Sequence, residues 1–389
     1  MSETFDAVVV GGGPAGATAA NELARRGRSV LLLDRGGRIK PCGGAIPPRL
    51  IRDFAIPDHL LAARITSARM VAPSDRTVDM PIGNGFVGMV DREVFDEFLR
   101  ERAATSGAVR RLGRFVRLTR DPDGTAVMLV REAGNVARVR ARVVVGADGA
   151  KSAVAAQCIP RGDRVPFVFA YHEIVRTPSS GFDGGRCDVY YQERLSPDFY
   201  GWVFPHGATA SVGCGTARKG FSLRRAVGSL RQTAGLGAME TIRREGAPIP
   251  LRPLRRWDNG RDVVVAGDAA GVVAPASGEG IYYAMEGGRL AAEAADAFLA
   301  TGEAATLRIA RRRFMRTHGR VFWILRVMQR FWYSSDRRRE RFVSICRDRD
   351  VQRLTWDSYM NKRLSRASPV LHVRIFLKDL AHLLGLVSA

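Results

Sequence analysis

The chain has 389 residues, of which 46% are hydrophobic and 26% charged, a composition typical of multidomain globular proteins rather than disordered segments. Its five cysteines are odd in number and include no Cys-x-x-Cys pair, which argues against a disulfide framework or a cysteine zinc site and indicates a reducing, cytoplasmic compartment. The formal net charge of +22 bears on binding partners and not on the fold.

The first predicted elements are a strand, a glycine-rich turn, a helix and a second strand between Phe5 and Gly36. Gly11, Gly13 and Gly16 place G-x-G-x-x-G where the strand turns into the helix. The first glycine allows the tight turn, the second lets a pyrophosphate approach the backbone, and the third lets the helix pack on the strand. Because the strand pattern begins at Phe5 without a preceding basic segment, we expect no signal peptide.

An acidic residue supports the interpretation of this turn as a dinucleotide site. Asp34 ends the second strand, 18 residues after Gly16, where a carboxylate can accept hydrogen bonds from a ribose. The phosphates are expected at the N-terminus of the first helix, which attracts anions. A glycine triplet inside a complete strand-helix-strand frame is a stronger signal than the triplet alone.

Two later segments repeat the plan of a buried strand that ends in small residues and one carboxylate. ARVVVGADGAKSAV, residues 141–154, contains Asp148-Gly149, and VVVAGDAAGVVAPASGEGI, residues 263–281, contains Gly267-Asp268. Taken singly, each is also compatible with an ordinary Asp-Gly turn after a strand. Together with the first motif they indicate one nucleotide site built from three parts of the chain.

The three motifs together resemble the FAD domain of the flavoprotein hydroxylase-type superfamily. There the Gly-Asp pair is followed, after six residues, by a proline, as Gly267-Asp268 is by Pro275. The resemblance implies that Asp268 holds ribityl or ribose hydroxyls and that Asp148-Gly149 faces the pyrophosphate region. It also implies that a helix beginning within 278–281 directs amides and a positive dipole at the N1 and O2 edge of the flavin.

Arg92, in the segment MVDREVFDEFL, corresponds to an arginine that touches FAD in that superfamily; surface contacts at a helix start are the alternative. The predicted cofactor is noncovalently bound FAD. The residues predicted to bind it are Gly11, Gly13, Pro14, Ala15, Gly16, Asp34, Arg35, Cys42, Gly44, Ala45, Arg92, Asp148, Gly149, Gly267, Asp268, Pro275, Gly278, Gly280 and Ile281.

Between Arg161 and Pro250 the pattern changes to short runs such as FVFAYHEIV and GWVFPHG, bounded by Gly, Pro and Ser. Alternation and aromatic enrichment predict an antiparallel sheet. The predicted fold is therefore α/β plus β. It comprises a discontinuous Rossmann-like FAD-binding domain (1–56, 85–160 and 261–300), an antiparallel-sheet substrate domain (57–84 and 161–260) and a basic C-terminal helical region (301–389).

Three further segments are more specific. They are KPCGGAIPPRL (residues 40–50), LSPDFYGWVFP (195–205), which contains P-x-x-Y-x-W-x-F, and LTWDSYMNKRL (354–364). The first two resemble the geranylgeranyl reductase family, whose members carry a Cys-Gly-Gly loop near the flavin and a proline, tyrosine and tryptophan motif beside the prenyl pocket. The third resembles the branch that makes the phytyl tail of chlorophyll and bacteriochlorophyll.

This resemblance implies an FAD-dependent reductase that saturates C=C bonds of a geranylgeranyl chain in photosynthetic pigment biosynthesis. The chain is carried on (bacterio)chlorophyll or as the free diphosphate, and both alternatives stay open. NADPH is the expected electron donor, with ferredoxin as the alternative.

Such a reaction needs a dry, apolar slot and a proton donor. Tyr200, Trp202 and Phe204 alternate, so on a strand they share one face and can line the slot; for Phe204 an ordinary core position is the alternative. Gly43 and Gly44 complete the predicted pocket. Cys42 has no neighbouring cysteine with which to form a redox dithiol, so it is the first candidate for the proton donor, and Tyr200 is the second.

The last quarter of the chain is strongly basic, with 20 basic and 7 acidic residues from position 301 onward. Arg326 and Arg330 lie on one face of a predicted helix, and Val321, Leu325, Met328 and Trp332 lie on another. This pattern predicts peripheral binding to an anionic inner or photosynthetic membrane; a helix packed on its own domain, with a solvated basic face, is the alternative.

Rival functions make different predictions. An aromatic hydroxylase of the same superfamily would consume oxygen and leaves P-x-x-Y-x-W-x-F unexplained. An archaeal-type lipid or quinone side-chain reductase is the nearer rival. A nucleic-acid-binding role would not explain the three nucleotide motifs, so we predict no binding to nucleic acid. The six histidines show no paired ligand spacing, so we predict no metal.

Overall fold

The computed structural model describes residues 3–37 and 39–362. The strands are β1 (Glu3–Val10), β2 (Val30–Asp34), β3 (Ala45–Ile46), β4 (Leu61–Ile65), β5 (Ser67–Val71), β6 (Thr77–Pro81), β7 (Val87–Val90), β8 (Val109–Leu112), β9 (Arg114–Arg120), β10 (Ala126–Glu132), β11 (Asn135–Gly146), β12 (Phe167–Arg176), β13 (Arg186–Tyr190), β14 (Gly201–His206), β15 (Thr209–Thr216), β16 (Thr241–Pro250) and β17 (Val263–Val265). The helices are α1 (Pro14–Arg25), α2 (Pro48–Asp53), α3 (Arg92–Thr105), α4 (Ala153–Cys158), α5 (Leu223–Thr233), α6 (Ile281–Thr301), α7 (Arg308–Trp332), α8 (Asp336–Ile345) and α9 (Arg349–Asn361).

The chain divides into two compact units. Within the described residues, the first unit comprises 3–37, 39–40, 92–167 and 248–322, and the second comprises 41–91, 168–247 and 323–362. The predicted boundaries differ from these at 41–56 and 85–91, which were assigned to the FAD-binding domain, and at 161–167, 248–260 and 301–322, which were assigned outside it. The first two of these segments contribute β3 and β7 to a three-stranded sheet of the second unit, in which β7 is the central strand and pairs with both β3 and β4.

The first unit is built on a sheet with the order β8-β2-β1-β11-β10-β9, with β17 beside β11. β1 is parallel to β2 and β11, whereas β10 is antiparallel to β9 and β11. The apolar runs 7–10 and 30–33 are buried, as expected of parallel strands in an α/β sheet. Helices α1 and α6 cross closely, since a Cβ on Gly288 would lie 2.1 Å from the carbonyl oxygen of Ala15. The predicted Rossmann-like fold is confirmed.

The second unit contains a sheet with the order β16-β12-β15-β14-β13-β5-β6. Its pairs are antiparallel at β12/β15, β15/β14, β14/β13 and β5/β6, and parallel at β13/β5. Helix α5 packs Val227 and Leu230 against a buried cluster that includes Val203 and Val212. Trp202 and Phe204 alternate with Val203, so they lie on the opposite face of the sheet.

Helices also make up the described part of the C-terminal region, as predicted. In residues 3–37 and 39–362, none of the helices combines the length and the apolar character required to cross a bilayer. Positions 363 and 364 of the LTWDSYMNKRL motif lie outside the described residues.

Candidate active site

The G-x-G-x-x-G turn has the geometry expected of each glycine. Gly11 has a φ of +105°, and a Cβ there would lie 2.4 Å from the carbonyl oxygen of Ala147. A Cβ on Gly16 would lie 1.8 Å from the carbonyl oxygen of Gly11, whereas one on Gly13 would meet no atom within 4 Å. Helix α1 begins at Pro14 without a side-chain cap. The space in front of its first turn therefore suits an anionic pyrophosphate.

Asp34 ends β2 beside this turn. Its carboxylate accepts a hydrogen bond of 2.8 Å from the amide of Arg35. It also pairs, at 3.5 Å, with Arg100 on α3, whose guanidinium donates to the carbonyl oxygen of Gly12. Arg100 thus connects the ribose-binding candidate to the glycine turn, a role that the sequence analysis missed. Its position two helical turns after Arg92 was the only available signal.

Asp148 has a structural function at the start of α4. Its carboxylate accepts hydrogen bonds from the Ser152 hydroxyl and from the amides of Ala153 and Val154. Burial raises the pKa of Asp148 above its ordinary value, although these hydrogen bonds act in the opposite direction. Gly149 follows with a φ of +89° and open space at its Cβ position. Contact between FAD and either residue stays a prediction.

The Gly-Asp motif lies against the first turn of α1. Gly267 has a φ of +62°, and a Cβ there would lie 2.6 Å from the Cβ of Ala15. Asp268 is 7% exposed and forms an ion pair with Lys40, a cation that the sequence analysis did not assign. Pro275 lies in the following turn. A buried carboxylate beside the glycine turn can bind the hydroxyls of a ribityl or ribose group.

Helix α6 begins at Ile281, where the sequence predicted a helix start. Gly278 has a φ of +64°, and Gly280 is the N-cap residue. The side chain of Glu279 accepts a hydrogen bond of 3.2 Å from the amide of Tyr282. The N-terminal end of this helix carries the partial positive charge expected to stabilise an anionic flavin edge.

Arg92 is buried and held by an acidic partner one helical turn away. Its Nε and Nη2 atoms donate to the carboxylate of Asp96 at 2.8 and 2.7 Å. This geometry excludes the alternative of a solvated helix-start arginine. A contact between Arg92 and FAD stays a prediction.

In the second unit, the Cys-Gly-Gly loop is anchored by its backbone. The amide of Gly44 donates to Sγ of Cys42 at 3.5 Å, and the carbonyl oxygen of Gly44 accepts from the amide of Val90 at 2.9 Å. A Cβ on Gly43 would lie 2.8 Å from the ring of Phe204. The loop therefore packs against the P-x-x-Y-x-W-x-F motif, as a shared pocket requires. Cofactor contacts by Cys42, Gly44 and Ala45 stay predictions.

Tyr200, Trp202 and Phe204 form a continuous row of rings. The ring centroids are 6.0 Å apart between Tyr200 and Trp202, and 6.2 Å apart between Trp202 and Phe204. Trp202 and Phe204 lie on β14, and Tyr200 immediately precedes that strand. Burial, followed by the nearby Tyr333 and Cys42, raises the pKa of the Tyr200 phenol. The two candidate proton donors therefore share one neighbourhood.

The C-terminal motif joins the same cluster. Trp356, Tyr359 and Met360 on α9 pack with Phe204 and Ala45 around a buried core. The three segments that carried the family resemblance thus meet on one side of the second unit. Among the residues that the structure describes, no group of three or more His, Cys, Asp or Glu residues is arranged to hold a metal ion.

Comparison with known proteins decides the family. A model of an FAD binding domain matches residues 4–162. A curated geranylgeranyl diphosphate reductase from Rhodobacter capsulatus is 60% identical over 387 residues, which cover 98% of both chains. The chain belongs to the geranylgeranyl reductase family.

More distant proteins are similar to this chain as well. A digeranylgeranylglycerophospholipid reductase from Methanoculleus marisnigri is 32% identical and covers 78% of this chain and 79% of its own. A geranylgeranyl bacteriochlorophyll reductase-like crystal structure from Thermoplasma acidophilum has a TM-score of 0.83 at 21% identity, with 96% of each chain covered. That structural likeness supports the fold alone, and the roles of individual residues depend on the site geometry.

Proposed function

We propose that this protein saturates C=C bonds of a geranylgeranyl chain to give a phytyl chain, on (bacterio)chlorophyll or on geranylgeranyl diphosphate, for photosynthetic pigment synthesis. The observation that carries the proposal is the ring row of Tyr200, Trp202 and Phe204 packed against the Cys-Gly-Gly loop. It occurs in a chain that is 60% identical over nearly its whole length to a geranylgeranyl diphosphate reductase. The archaeal-type lipid relative is less similar and covers less of the chain.

The glycine turn, Asp34, Asp268 and the N-terminus of α6 fit an FAD by their donor and acceptor chemistry. When bound and reduced, FAD supplies the hydride for one alkene carbon. The ring row binds the prenyl chain by apolar contact and excludes water from it. The second alkene carbon needs a proton, for which the Cys42 thiol is the first candidate and the Tyr200 phenol the second. The raised pKa of Tyr200 keeps that phenol protonated at neutral pH.

NADPH is the electron donor in this proposal, and reduced ferredoxin is the alternative. The two are distinguished by mixing the oxidised, FAD-loaded protein with NADPH under anaerobic conditions. Bleaching of the flavin absorbance at a rate equal to or above turnover supports NADPH. Bleaching by reduced ferredoxin alone supports the alternative.

The protein is also proposed to bind peripherally to the cytoplasmic surface of an anionic membrane. On α7, Trp332 is buried and Arg330 is exposed, whereas Arg326, Val321, Leu325 and Met328 are all half-buried. The exposed face is not purely basic, however, because Trp323 and Val327 are 57% and 46% exposed. Apolar side chains next to Arg326 and Arg330 suit the boundary between lipid headgroups and acyl chains, where a prenyl-tailed substrate also resides.

The deciding experiment is an anaerobic reduction assay with geranylgeranyl bacteriochlorophyll and geranylgeranyl diphosphate, followed by mass spectrometry. By the family resemblance, we expect three successive products, each heavier by two hydrogens, with the double bond nearest the ester intact. Trp202→Ala should slow product formation while FAD stays bound. A product that contains oxygen, or a reaction that stops without oxygen, would contradict the reductase assignment and support a monooxygenase.

A further inference from the structure

A chain of hydrogen-bonded polar side chains, buried except for the half-buried Glu245, crosses four neighbouring strands of the second unit and ends on the ring row. The Trp202 indole Nε1 lies 3.0 Å from Oγ of Ser211. The same Oγ lies 2.8 Å from Nδ1 of His172, whose Nε2 lies 2.9 Å from Oε2 of Glu245. The residues belong to β14, β15, β12 and β16, respectively. Neither the cofactor site nor the proposed proton donors make use of this chain.

A glycine in the backbone between these side chains leaves space for the indole. Gly213 on β15 is paired in register with both Trp202 and His172. A Cβ on Gly213 would lie 2.2 Å from the indole Cζ2 and 2.6 Å from the Cβ of His172. Glycine in a strand interior commonly marks such a close approach. The indole therefore fills the space of the missing side chain and reaches Ser211 from there.

The donor and acceptor chemistry gives the chain one direction. An indole N–H can only donate, so the Ser211 oxygen accepts from Trp202. The Ser211 hydroxyl donates to Nδ1 of a neutral His172 ring, because a ring that donates from Nε2 to the Glu245 carboxylate has Nδ1 left as its acceptor. Burial acts to raise the pKa of Glu245, but the interactions with His172 and Arg243 lower it below its ordinary value. The carboxylate thus stays ionised and remains an acceptor.

A serine, a histidine and a glutamate at these distances also resemble a nucleophilic triad. Ser211 is 0% exposed, however, and His172 is 3% exposed. The Ser211 oxygen already accepts a hydrogen bond from Trp202, and no substrate atom can reach it. This burial excludes nucleophilic catalysis and leaves an orienting role.

We infer that Ser211, His172 and Glu245 are positioning residues that hold the Trp202 indole in one orientation in the prenyl slot. The inference rests on the proposed function for the role of Trp202 in that slot. A buried N–H without a partner is unfavourable, so rotation of the indole away from Ser211 is disfavoured. Orientation of the slot wall determines where the alkene lies, and displacements on the ångström scale strongly slow reactions that depend on alignment.

The hydrogen-bond chain is tested first by a measurement that does not depend on activity. In the protein labelled with [15N]tryptophan, the Nε1–H resonance of Trp202 is assigned by its absence in Trp202→Phe. Ser211→Ala should shift this resonance and accelerate its exchange with deuterium. Thr216→Val removes another buried hydroxyl from β15, one bonded to Asp198, and should leave the resonance unchanged. An unchanged Trp202 signal in Ser211→Ala would refute the chain.

The positioning role is tested by a double-mutant cycle on prenyl reduction. Ser211→Ala and Trp202→Phe should each lower kcat by about 10-fold, with little change in KM or FAD content. Ser211→Ala should cause no additional loss in the Trp202→Phe background, because the N–H is already absent. The positioning role would be overturned if the two substitutions lowered kcat independently, so that their fold-losses multiply in the double mutant. An unchanged kcat in Ser211→Ala would also overturn it.

Substitutions of Glu245, which is less buried than Ser211, provide a second test of the hydrogen-bond chain. Glu245→Gln keeps an acceptor for Nε2–H and should retain most of the activity, whereas Glu245→Leu should behave like Ser211→Ala in both measurements. Equal effects of the two substitutions would contradict the directional chain. If the wild-type protein reduces no prenyl substrate, the proposed function fails. The positioning role then fails with it, while the NMR result still decides whether the chain of hydrogen bonds exists.

Discussion

Arg339 donates a hydrogen bond of 2.6 Å from Nη2 to the carbonyl oxygen of Pro197, the first residue of the P-x-x-Y-x-W-x-F motif. The same nitrogen donates to the carbonyl oxygens of Ser196 and Tyr333 at 3.0 and 2.7 Å. Arg339 is 0% exposed. Helix α8 thus holds the loop that leads into the ring row through a single buried guanidinium.

We therefore expect Arg339→Met to lower the free energy of unfolding by about 3 kcal/mol, because buried carbonyl groups lose their charged donor. Urea denaturation measures this change. Arg337→Ala, at an exposed position on the same helix, is the matched control and should change stability by less than about 0.5 kcal/mol. Equal stabilities of the two variants would show that the Arg339 hydrogen bonds contribute little.

Asp268→Ala should yield a protein that is largely colourless after purification. Loss of hydrogen bonds between a carboxylate and ligand hydroxyls is expected to weaken FAD binding by roughly 10- to 100-fold. The ratio of flavin to protein absorbance and a titration with FAD test this, and acid precipitation of the wild type should release intact FAD. Asp296→Ala removes a carboxylate that pairs with Arg28 at 2.7 Å and should keep its colour. Full FAD retention by Asp268→Ala would refute the assignment.

Gly44→Ala should impair both stability and prenyl reduction. Its φ is +74°, and an added Cβ would lie 2.5 Å from the backbone oxygen of Val90, so the loop must shift. Gly181→Ala has a similar φ of +77° but no atom within 4 Å of the new Cβ. This control isolates the backbone strain, worth about 1–2 kcal/mol. Thermal unfolding of the two variants should differ, with Gly44→Ala the less stable; equal melting temperatures would mean that the loop adapts.

The ion pair between Glu173 and Arg231 predicts a loss of stability in acid. Burial acts to raise the pKa of Glu173, but hydrogen bonds from Tyr171 and Arg231 and the charges of Arg231 and Arg244 lower it below 4.5. The stabilisation is therefore complete above pH 4.5 and is lost as the pH falls through the lower, folded-state pKa. Glu173→Gln should be less stable than the wild type by about 1 kcal/mol or more at pH 7.

This difference between Glu173→Gln and the wild type should shrink as the pH falls below 4.5, which urea denaturation at several pH values would detect. Glu240→Gln changes an exposed carboxylate that pairs with Arg176 and is expected to alter stability at pH 7 by less than about 1 kcal/mol. A Glu173→Gln deficit that stays constant down to pH 3 would contradict the ion-pair explanation.

Binding to anionic vesicles should depend on both the basic and the apolar residues of α7. Arg326→Gln and Arg330→Gln should each weaken binding by about 1 kcal/mol and reduce its dependence on salt. Trp323→Ser should weaken binding at every salt concentration, because its contribution is apolar. Leu112→Ser, at another strongly exposed apolar residue, serves as the control in vesicle co-sedimentation. Equal binding to neutral and anionic vesicles would show that the arginine face of α7 is only a solvated helix surface.

The sequence alone determined the α/β fold of the first unit and the positions of its three nucleotide motifs. Each motif is local: Gly11, Gly13 and Gly16 act within one turn, Asp34 ends a strand, and Asp268 lies in the turn after one. Alternation predicted that Trp202 and Phe204 share a face, because the two-residue period of a strand is a property of the backbone. The Cys-Gly-Gly, aromatic and C-terminal segments sufficed to indicate the family.

Only the tertiary structure decided how these segments are held together. Arg339 and Pro197 are separated by 142 residues, and the four members of the Trp202 hydrogen-bond chain come from different strands. Such contacts follow from strand order and helix packing, which leave no fixed spacing in the sequence. For the same reason, β3 and β7 belong to the second unit although they adjoin first-unit segments in the chain: hydrogen bonding of β7 to β4 and of β3 to β7, and not proximity in sequence, places them there.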